Sequence, residues 1–266
     1  MKWTKQAEEA LSRVPFFVRR RVRKRVEAEA TRANAVEVTL DHVHTCRRRF
    51  LENMEDEVQG HRVEACFGSS GCPNRVLTDD GLAREIEKML EGKRLKNFLK
   101  ARVPGPLKLH HELRVSISDC PNACSRPQIV DLGMIAAVRP RINPKLCTGC
   151  AACVAKCKES AISLSDEGHG ATLDASRCVS CGQCIRACPA AALEIDAQGY
   201  RVLLGGKLGR HPQLASELPG IYSKEEALEI VGECLEHYLR KNVEGERFGE
   251  ILKRTGSGFL DEIRNG

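Results

Sequence analysis

Aromatic residues are scarce: one Trp, three Tyr and seven Phe, or 4% of 266 residues. Stacking platforms for single-stranded nucleic acid are built from such side chains, so this class of function is not expected. Long apolar runs are also missing. No stretch reaches the roughly 18 residues that a bilayer-spanning helix needs, and no membrane association is expected. Met1-Lys2-Trp3-Thr4-Lys5-Gln6 leads into a charged stretch with no apolar segment behind it, so a secretory signal is not expected and the location expected is cytoplasmic. With 42% hydrophobic and 29% charged residues, the composition is that of a globular protein and excludes a disordered or fibrous one. Cysteine, by contrast, is abundant, at 14 residues. In a reducing compartment that many thiols point to metal and away from disulfides.

Charge is uneven. Residues 1–50 carry 13 Lys/Arg against 6 Asp/Glu, whereas residues 51–266 carry 29 against 30. The runs Arg19-Arg20-Arg21-Val22-Arg23-Lys24-Arg25 and Arg47-Arg48-Arg49 cause this. A basic arm can meet nucleic acid, an acidic redox partner or a polycarboxylate cofactor; a solvated helix face is the plain alternative. No helix-turn-helix or aromatic motif accompanies the charge, so nucleic acid is not expected as a partner.

Residues 1–50 read as helices. Val14, Val18, Val22 and Val26 form one stripe, Pro15 suits a first helical turn, and Thr39 reads as a cap. Strand character follows at 61–66, 113–118, 129–138 and 202–206. Helices are expected from a Thr78 cap to about Leu99, from a Ser223 cap to about Leu239, and over roughly 246–264.

Two cysteine patterns stand out. Cys147, Cys150, Cys153 and Cys157 have the spacing C-x2-C-x2-C-x3-C, and Cys178, Cys181, Cys184 and Cys188 repeat it 31 residues later. Three thiolates on one tight loop can hold three corners of a cubane, and in two-cluster ferredoxins the fourth comes from the other half. The expected ligand sets are therefore Cys147, Cys150, Cys153 and Cys188 for one [4Fe–4S] cluster, and Cys178, Cys181, Cys184 and Cys157 for another. One departure exists: Pro189 follows Cys188, but Lys158 follows Cys157. The second pattern, Cys66-x5-Cys72 with Cys120-x3-Cys124, can converge on one centre, and its spacing alone also suits zinc. Cys46 and Cys234 are left over. Cys234 reads as a small buried apolar residue. Cys46, beside the arginine run, could have a lowered pKa, though no role is assigned to it.

Around the second pattern the sequence resembles the siroheme-dependent sulfite and nitrite reductase family. The matching stretches are Ala65-Cys66 to Cys72, Ser118-Asp119-Cys120-Pro121-Asn122-Ala123-Cys124, Asp131-Leu132-Gly133, Gly205-Gly206-Lys207-Leu208-Gly209-Arg210-His211-Pro212, and Glu246-Arg247-Phe248 to Thr255-Gly256. The resemblance implies an α+β fold: a sheet-and-helix domain over 60–139 and 201–266, interrupted by a ferredoxin domain at 140–200. It implies a third [4Fe–4S] cluster on Cys66, Cys72, Cys120 and Cys124, with Cys124 also bridging to a siroheme iron. It further implies basic residues facing a small oxyanion substrate, for which the matching positions are Arg62, Lys108 and His110. Those groups come from different halves of a duplicated chain in the family, so a homo-oligomer is expected to supply them here. Residues 1–50 form a separate helical domain. Within it Trp3, Ala7, Leu11, Val14-Pro15-Phe16, Arg19, Glu27 and Val38-Thr39-Leu40-Asp41-His42-Val43 resemble a small domain of the catalytic B subunit of light-independent protochlorophyllide reductase. The functional expectation is a small sulfite or nitrite reductase, with electrons from a donor protein passing through the insert. The alternative is a multi-cluster electron-transfer subunit without siroheme, feeding a partner oxidoreductase.

Overall fold

The computed structural model describes residues 1–52, 54–78, 81–165, 170–256 and 258–265. They divide into two compact units: Met1–Val58 with Gly105–His110, and Gln59–Pro104 with His111–Gly266.

The first unit is small and helical. Strand β1 (Lys2–Trp3) pairs in parallel with β2 (Glu37–Val38), and helices α1 (Lys5–Ser12), α2 (Phe16–Arg32), α3 (Leu40–Glu52) and α4 (Met54–Glu57) complete it. Pro15 stands just before α2, where its missing N–H costs nothing. Of the valine stripe only Val26 is fully buried, in a core with Ala7, Ala30 and Val38. Polar contacts add to this thin core. The Trp3 indole N–H donates to Glu27 at 3.0 Å. Glu29, nearly buried, pairs with Arg49 at 2.7 Å and with Arg32 at 3.3 Å.

The second unit is mixed. Its sheet runs β3 (His61–Ala65), β4 (Leu113–Ser118), β5 (Leu132–Ile142), β8 (Leu193–Leu204), β9 (Ser216–Glu217) in spatial order, the first three parallel and the last two joins antiparallel. Strands β6 (Ile162–Leu164) and β7 (Ala171–Leu173) form a separate hairpin. The helices are α5 (Leu82–Gly92), α6 (Leu95–Lys100), α7 (Ala152–Lys156), α8 (Gln183–Ala187), α9 (Lys224–Lys241), α10 (Phe248–Thr255) and α11 (Gly258–Asn265). The alternation in β4 decides its two faces. Leu113, Val115 and Ile117 enter the main core with Ile86, Met134, Val202, Val231 and Phe248, while Ser116 and Ser118 face the other way, toward Ser125. Ser223 and Glu226 close a capping box at the start of α9.

Two expected helices differ. The stretch through Leu99 begins at Leu82 behind a left-handed Gly81 and not at Thr78, and it breaks at Arg94, whose φ is +49°. A left-handed residue cannot continue an α-helix, so α5 and α6 are separate. The C-terminal stretch splits at Gly256, with φ +82°. The last two strand candidates lengthen into β5 and β8, which pair from Leu132↔Leu204 out to Ile142↔Leu193, with a bulge at Arg139/Pro140. Residues between them are carried at the outer end of this ribbon. Pro140 has no N–H to give the ladder, and the bulge accommodates it.

Asp131 lies between these parts and is fully buried. Its carboxylate accepts from the Arg247 guanidinium at 2.6 and 3.1 Å, from the Arg114 N–H at 2.8 Å and from the Phe248 N–H at 3.1 Å. Its carbonyl accepts from the Gly205 N–H at 2.8 Å. Removing one partner of a buried pair leaves the other charge stranded. Asp131→Ala should therefore lose about 3–5 kcal/mol of unfolding free energy, read as a drop in denaturant midpoint. Glu236→Ala, which breaks an exposed pair with Lys93, should lose under about 1 kcal/mol. Equal losses in the two variants would show that Asp131 has no such role.

Candidate metal centres

Each of the two cysteine repeats builds the same turn. Its backbone is left-handed at matching positions: Gly149 and Ser180, Ala151 and Gly182, Ser160 and Ala191. A five-residue helix follows the second cysteine in each, α7 or α8. The third cysteine, Cys153 or Cys184, is buried within it, and the fourth, Cys157 or Cys188, ends it. The repeats are then stitched crosswise. The Asn143 N–H donates to the Ala192 carbonyl, and the Asp174 N–H to the Ala161 carbonyl, both at 2.8 Å. The end of each repeat thus lies against the start of the other.

The consequence is visible in the cavities. Cys157, Cys178, Cys181 and Cys184 line one of about 340 Å³, partly open to solvent. Cys147, Cys150, Cys153 and Cys188 line another of about 290 Å³. Each fourth cysteine accepts an N–H, from Ala161 to Cys157 Sγ and from Ala192 to Cys188 Sγ, at 3.3 Å. Among the described residues, no three Cys, His, Asp or Glu side chains gather as around a single ion. The thiols border spaces instead, which suits a cubane with thiolate ligands.

Cys66, Cys72, Cys120 and Cys124 sit on two facing loops at the ends of β3 and β4. The Cys66 N–H donates to the Ile117 carbonyl at 2.9 Å, and the Asp119 N–H to Cys66 Sγ at 3.3 Å. A side chain on Gly68 would strike Asp119, at 2.3 Å from its Oδ2, so only glycine lets the loops approach. Beyond Cys120 the backbone is left-handed at Ala123 and Arg126, on either side of Cys124, which is exposed. The Ser125 hydroxyl fastens this turn, donating to the Ile117 carbonyl at 2.7 Å.

Thiolates are the form that binds iron, and burial opposes them. Burial first, then the Cys181 and Cys178 charges, pushes Cys184 up to about 11. Burial is also the first cause of the raised pKa values of Cys120 and Cys153. The Ala152 N–H, then the Thr148 hydroxyl, holds exposed Cys150 below the ordinary thiol value. The spare thiols differ. Cys234 is buried, and its pKa is raised by that burial. Cys46 is also raised, by burial and then by Glu29, against the pull of Arg25, Arg32 and Arg49. The arginine run therefore does not activate it.

Two further spaces adjoin these loops. Cys66 and Cys124 line an open cleft of about 800 Å³ with Arg62, Phe67 and Arg126. Arg62 there pairs with Glu64 at 2.7 Å. Lys108 and His110 are exposed residues of the first unit and are not among the cleft's lining residues. Sequence reasoning does not pick out Arg126; the available signal is a basic residue two places after Cys124 and directly before Pro127. The other space, of about 700 Å³, lies between Cys120 and Asn122 on one side and Lys156, Cys157, Lys158 and Cys181 on the other. It brings the Cys157 and Cys181 segments beside the Cys120 loop.

Residues 60–265 match the model of the nitrite and sulphite reductase 4Fe-4S domain. The chain belongs to this family. It is an iron–sulfur protein of the sulfite reductase type. Residues 3–47 match the proto-chlorophyllide reductase 57 kD subunit. Over 203 residues the chain is 35% identical to a coenzyme F420-dependent sulfite reductase of Methanocaldococcus jannaschii, covering 75% of this chain and 30% of that one. It is 28% identical over 138 residues to one of the subunits of the anaerobic sulfite reductase of Salmonella typhimurium, covering 46% of this chain and 36% of that one. The chain thus spans about a third of the length of these relatives. The crystal structure of dissimilatory sulfite reductase I shares the fold, with TM-score 0.50 at 18% identity over 86% of this chain and 58% of that one. Among the described residues no helix is long and apolar enough to cross a membrane.

The crosswise stitching makes a prediction that a within-repeat ligand set would not. In iron-loaded Cys157→Ser, thiol labelling should expose Cys178, Cys181 and Cys184, while Cys147, Cys150, Cys153 and Cys188 stay protected. Labelling of Cys147, Cys150 and Cys153 instead would mean that each repeat holds its own cluster.

Proposed function

We propose that this chain is the cluster-bearing part of a small siroheme-dependent reductase of sulfite or nitrite. In this reading Cys66, Cys72, Cys120 and Cys124 hold one [4Fe–4S] cluster, and the two crosswise sets in the insert hold two more. The observation that carries it is the cleft at Cys124. An exposed thiol, two guanidinium groups, one of them paired with Glu64, and an exposed phenyl ring border one opening beside the Cys66 and Cys120 loops. That donor set fits a broad macrocycle with carboxylate arms: sulfur for its metal, Arg62 and Arg126 for anionic groups, Phe67 for an apolar face. When bound, the clusters supply one-electron relay sites and the siroheme supplies an iron for the reducible anion.

The chain's own residues do the rest. Ser116, Ser118 and Ser125 hold the Cys124 turn rigid. Gly206 lets the following loop close on this region, because a side chain there would meet the Gln128 carbonyl at 2.5 Å. Arg62 and Arg126 orient an oxyanion or a carboxylate by paired N–H donation, at a place where negative charge accumulates. Lys108 adds a cationic N–H donor and His110 a ring N–H, contributed by a second copy in a homo-oligomer. The insert is where an electron donor protein docks, and a thiol-based metal chemistry fits the reducing cytoplasm.

The test is the visible spectrum of anaerobically purified protein. A chlorin-type Soret and red band, lost in Cys124→Ser with most of the iron retained, is the expected result. Iron–sulfur absorbance alone, with about 12 iron atoms per chain, would reduce the chain to a multi-cluster electron-transfer subunit that feeds a partner enzyme.

A further inference from the structure

We infer that the two cysteine sites of the insert are electrically unequal, and that Lys156 and Lys158 set the Cys157/Cys178/Cys181/Cys184 site at the higher reduction potential. This rests on the cluster reading proposed above. Backbone does not separate the two sites. The left-handed positions match, Cys157 and Cys188 end their helices at ψ 104° and 109°, and each accepts one N–H at 3.3 Å.

Side chains do separate them. Cys157 stands between Lys156 and Lys158, where Cys188 stands between Ala187 and Pro189. Because the repeats exchange their fourth cysteines, these two cations belong to the second repeat's site. Both line the space that Cys157 and Cys181 share with Cys120. Glu159 opposes them there and also borders the second site's own cavity. Arg201 adds a cation felt at Cys178, though Glu217 pairs with it at 2.6 Å. Among the described residues, the cavity of the first repeat's site has no charged residue in its lining.

Reduction adds negative charge to a cluster, so a nearby cation favours it. One electron moving between the sites oxidises the first by one and reduces the second by one, with no proton transferred and no bond changed. The original donor is a one-electron redox protein. The higher-potential site is the one that borders the Cys120 loop, so the charge pattern collects the electron beside the larger domain. Exposed Cys150 works in the opposite sense, because hydration favours reduction of the first repeat's site, and the two lysines outweigh it.

An anaerobic potentiometric titration of the full iron-loaded chain, followed by electron paramagnetic resonance, tests this. The step of the Cys124-containing site is recognised by its change in Cys124→Ser. The other two steps should be separate. The double variant Lys156→Gln/Lys158→Gln should lower the upper one about tenfold in its reduction equilibrium, about 59 mV for a one-electron couple, and leave the lower one in place. Pro189→Lys, an exposed position, should raise the lower one. All these residues are exposed, so the shifts should shrink at high salt. A single shared insert step, or a lysine variant that moves the lower step, would overturn the inference while leaving the clusters assigned. A chain that takes up no iron would sink the cluster reading itself, and iron analysis tells the two failures apart.

Discussion

The second unit depends on one buried carboxylate. Asp131 receives donors from the start of β4 and from α10, and its carbonyl receives the end of β8. Four elements meet at this residue, and the Cys124 turn lies on the chain just before it. A lone carboxylate there would carry a desolvation penalty of several kcal/mol. Here its oxygens take four hydrogen bonds, and the guanidinium supplies the opposite charge. The neighbouring glycines follow from the same crowding. A side chain on Gly133 would stand 2.2 Å from the Pro127 carbonyl, and one on Gly206 would stand 2.5 Å from the Gln128 carbonyl. The 127–130 segment is held between β5 and the loop after β8 by contacts that only glycine permits. Gly206 and Arg247 are distant in sequence from Asp131 and Gly133, yet all four serve one joint.

What can be read beforehand follows from how local each signal is. The β4 alternation, the Ser223 cap and the spacing within each cysteine repeat are properties of short segments, and the structure contains each of them. The break at Arg94 is different. Gly92, two residues earlier, is a stop signal of the Gly kind, but the left-handed φ falls on Arg94 and not on the glycine, with Leu90 and Leu95 buried on either side of it. Thr78 reads as a cap because caps are recognised by residue type, but Gly81 supplies the turn. The cleft is half legible. Arg62 can be found from its distance to Cys66, whereas Arg126 becomes a neighbour of Arg62 only when β3 and β4 pair.

The two cysteine repeats show how neighbours can be set by backbone alone. Two copies of one turn, each ending beside the other's start, bring Cys157 to the second copy's thiols and Cys188 to the first's. The antiparallel ribbon of β5 and β8 fixes the far end of this module, and the Val138 N–H donates to the Ser180 carbonyl at 2.7 Å. Arg186 reaches the Arg75 carbonyl at 3.4 Å. The second repeat is thus seated on the larger domain by backbone as well as side-chain contacts. Its orientation is a property of the fold.

The basic arm has a different explanation from the one its composition suggests. An excess of 13 cations over 6 anions in residues 1–50 invites a polyanion as partner. Much of that charge is engaged inside the helical unit. Arg23 pairs with Glu8 and lies 4.6 Å from the Trp3 ring centre, Arg25 pairs with Glu57, and Arg32 and Arg49 share Glu29. Arg19 donates to the Ser12 and Val14 carbonyls, which ties the turn before α2. A unit whose core is largely alanine and valine buries little apolar area. Long arginine stems that cover the surface and reach fixed acceptors supply contacts that larger side chains would otherwise make. Net charge therefore overstates what this arm offers to a partner, because several of its arginines are already committed to holding the unit together.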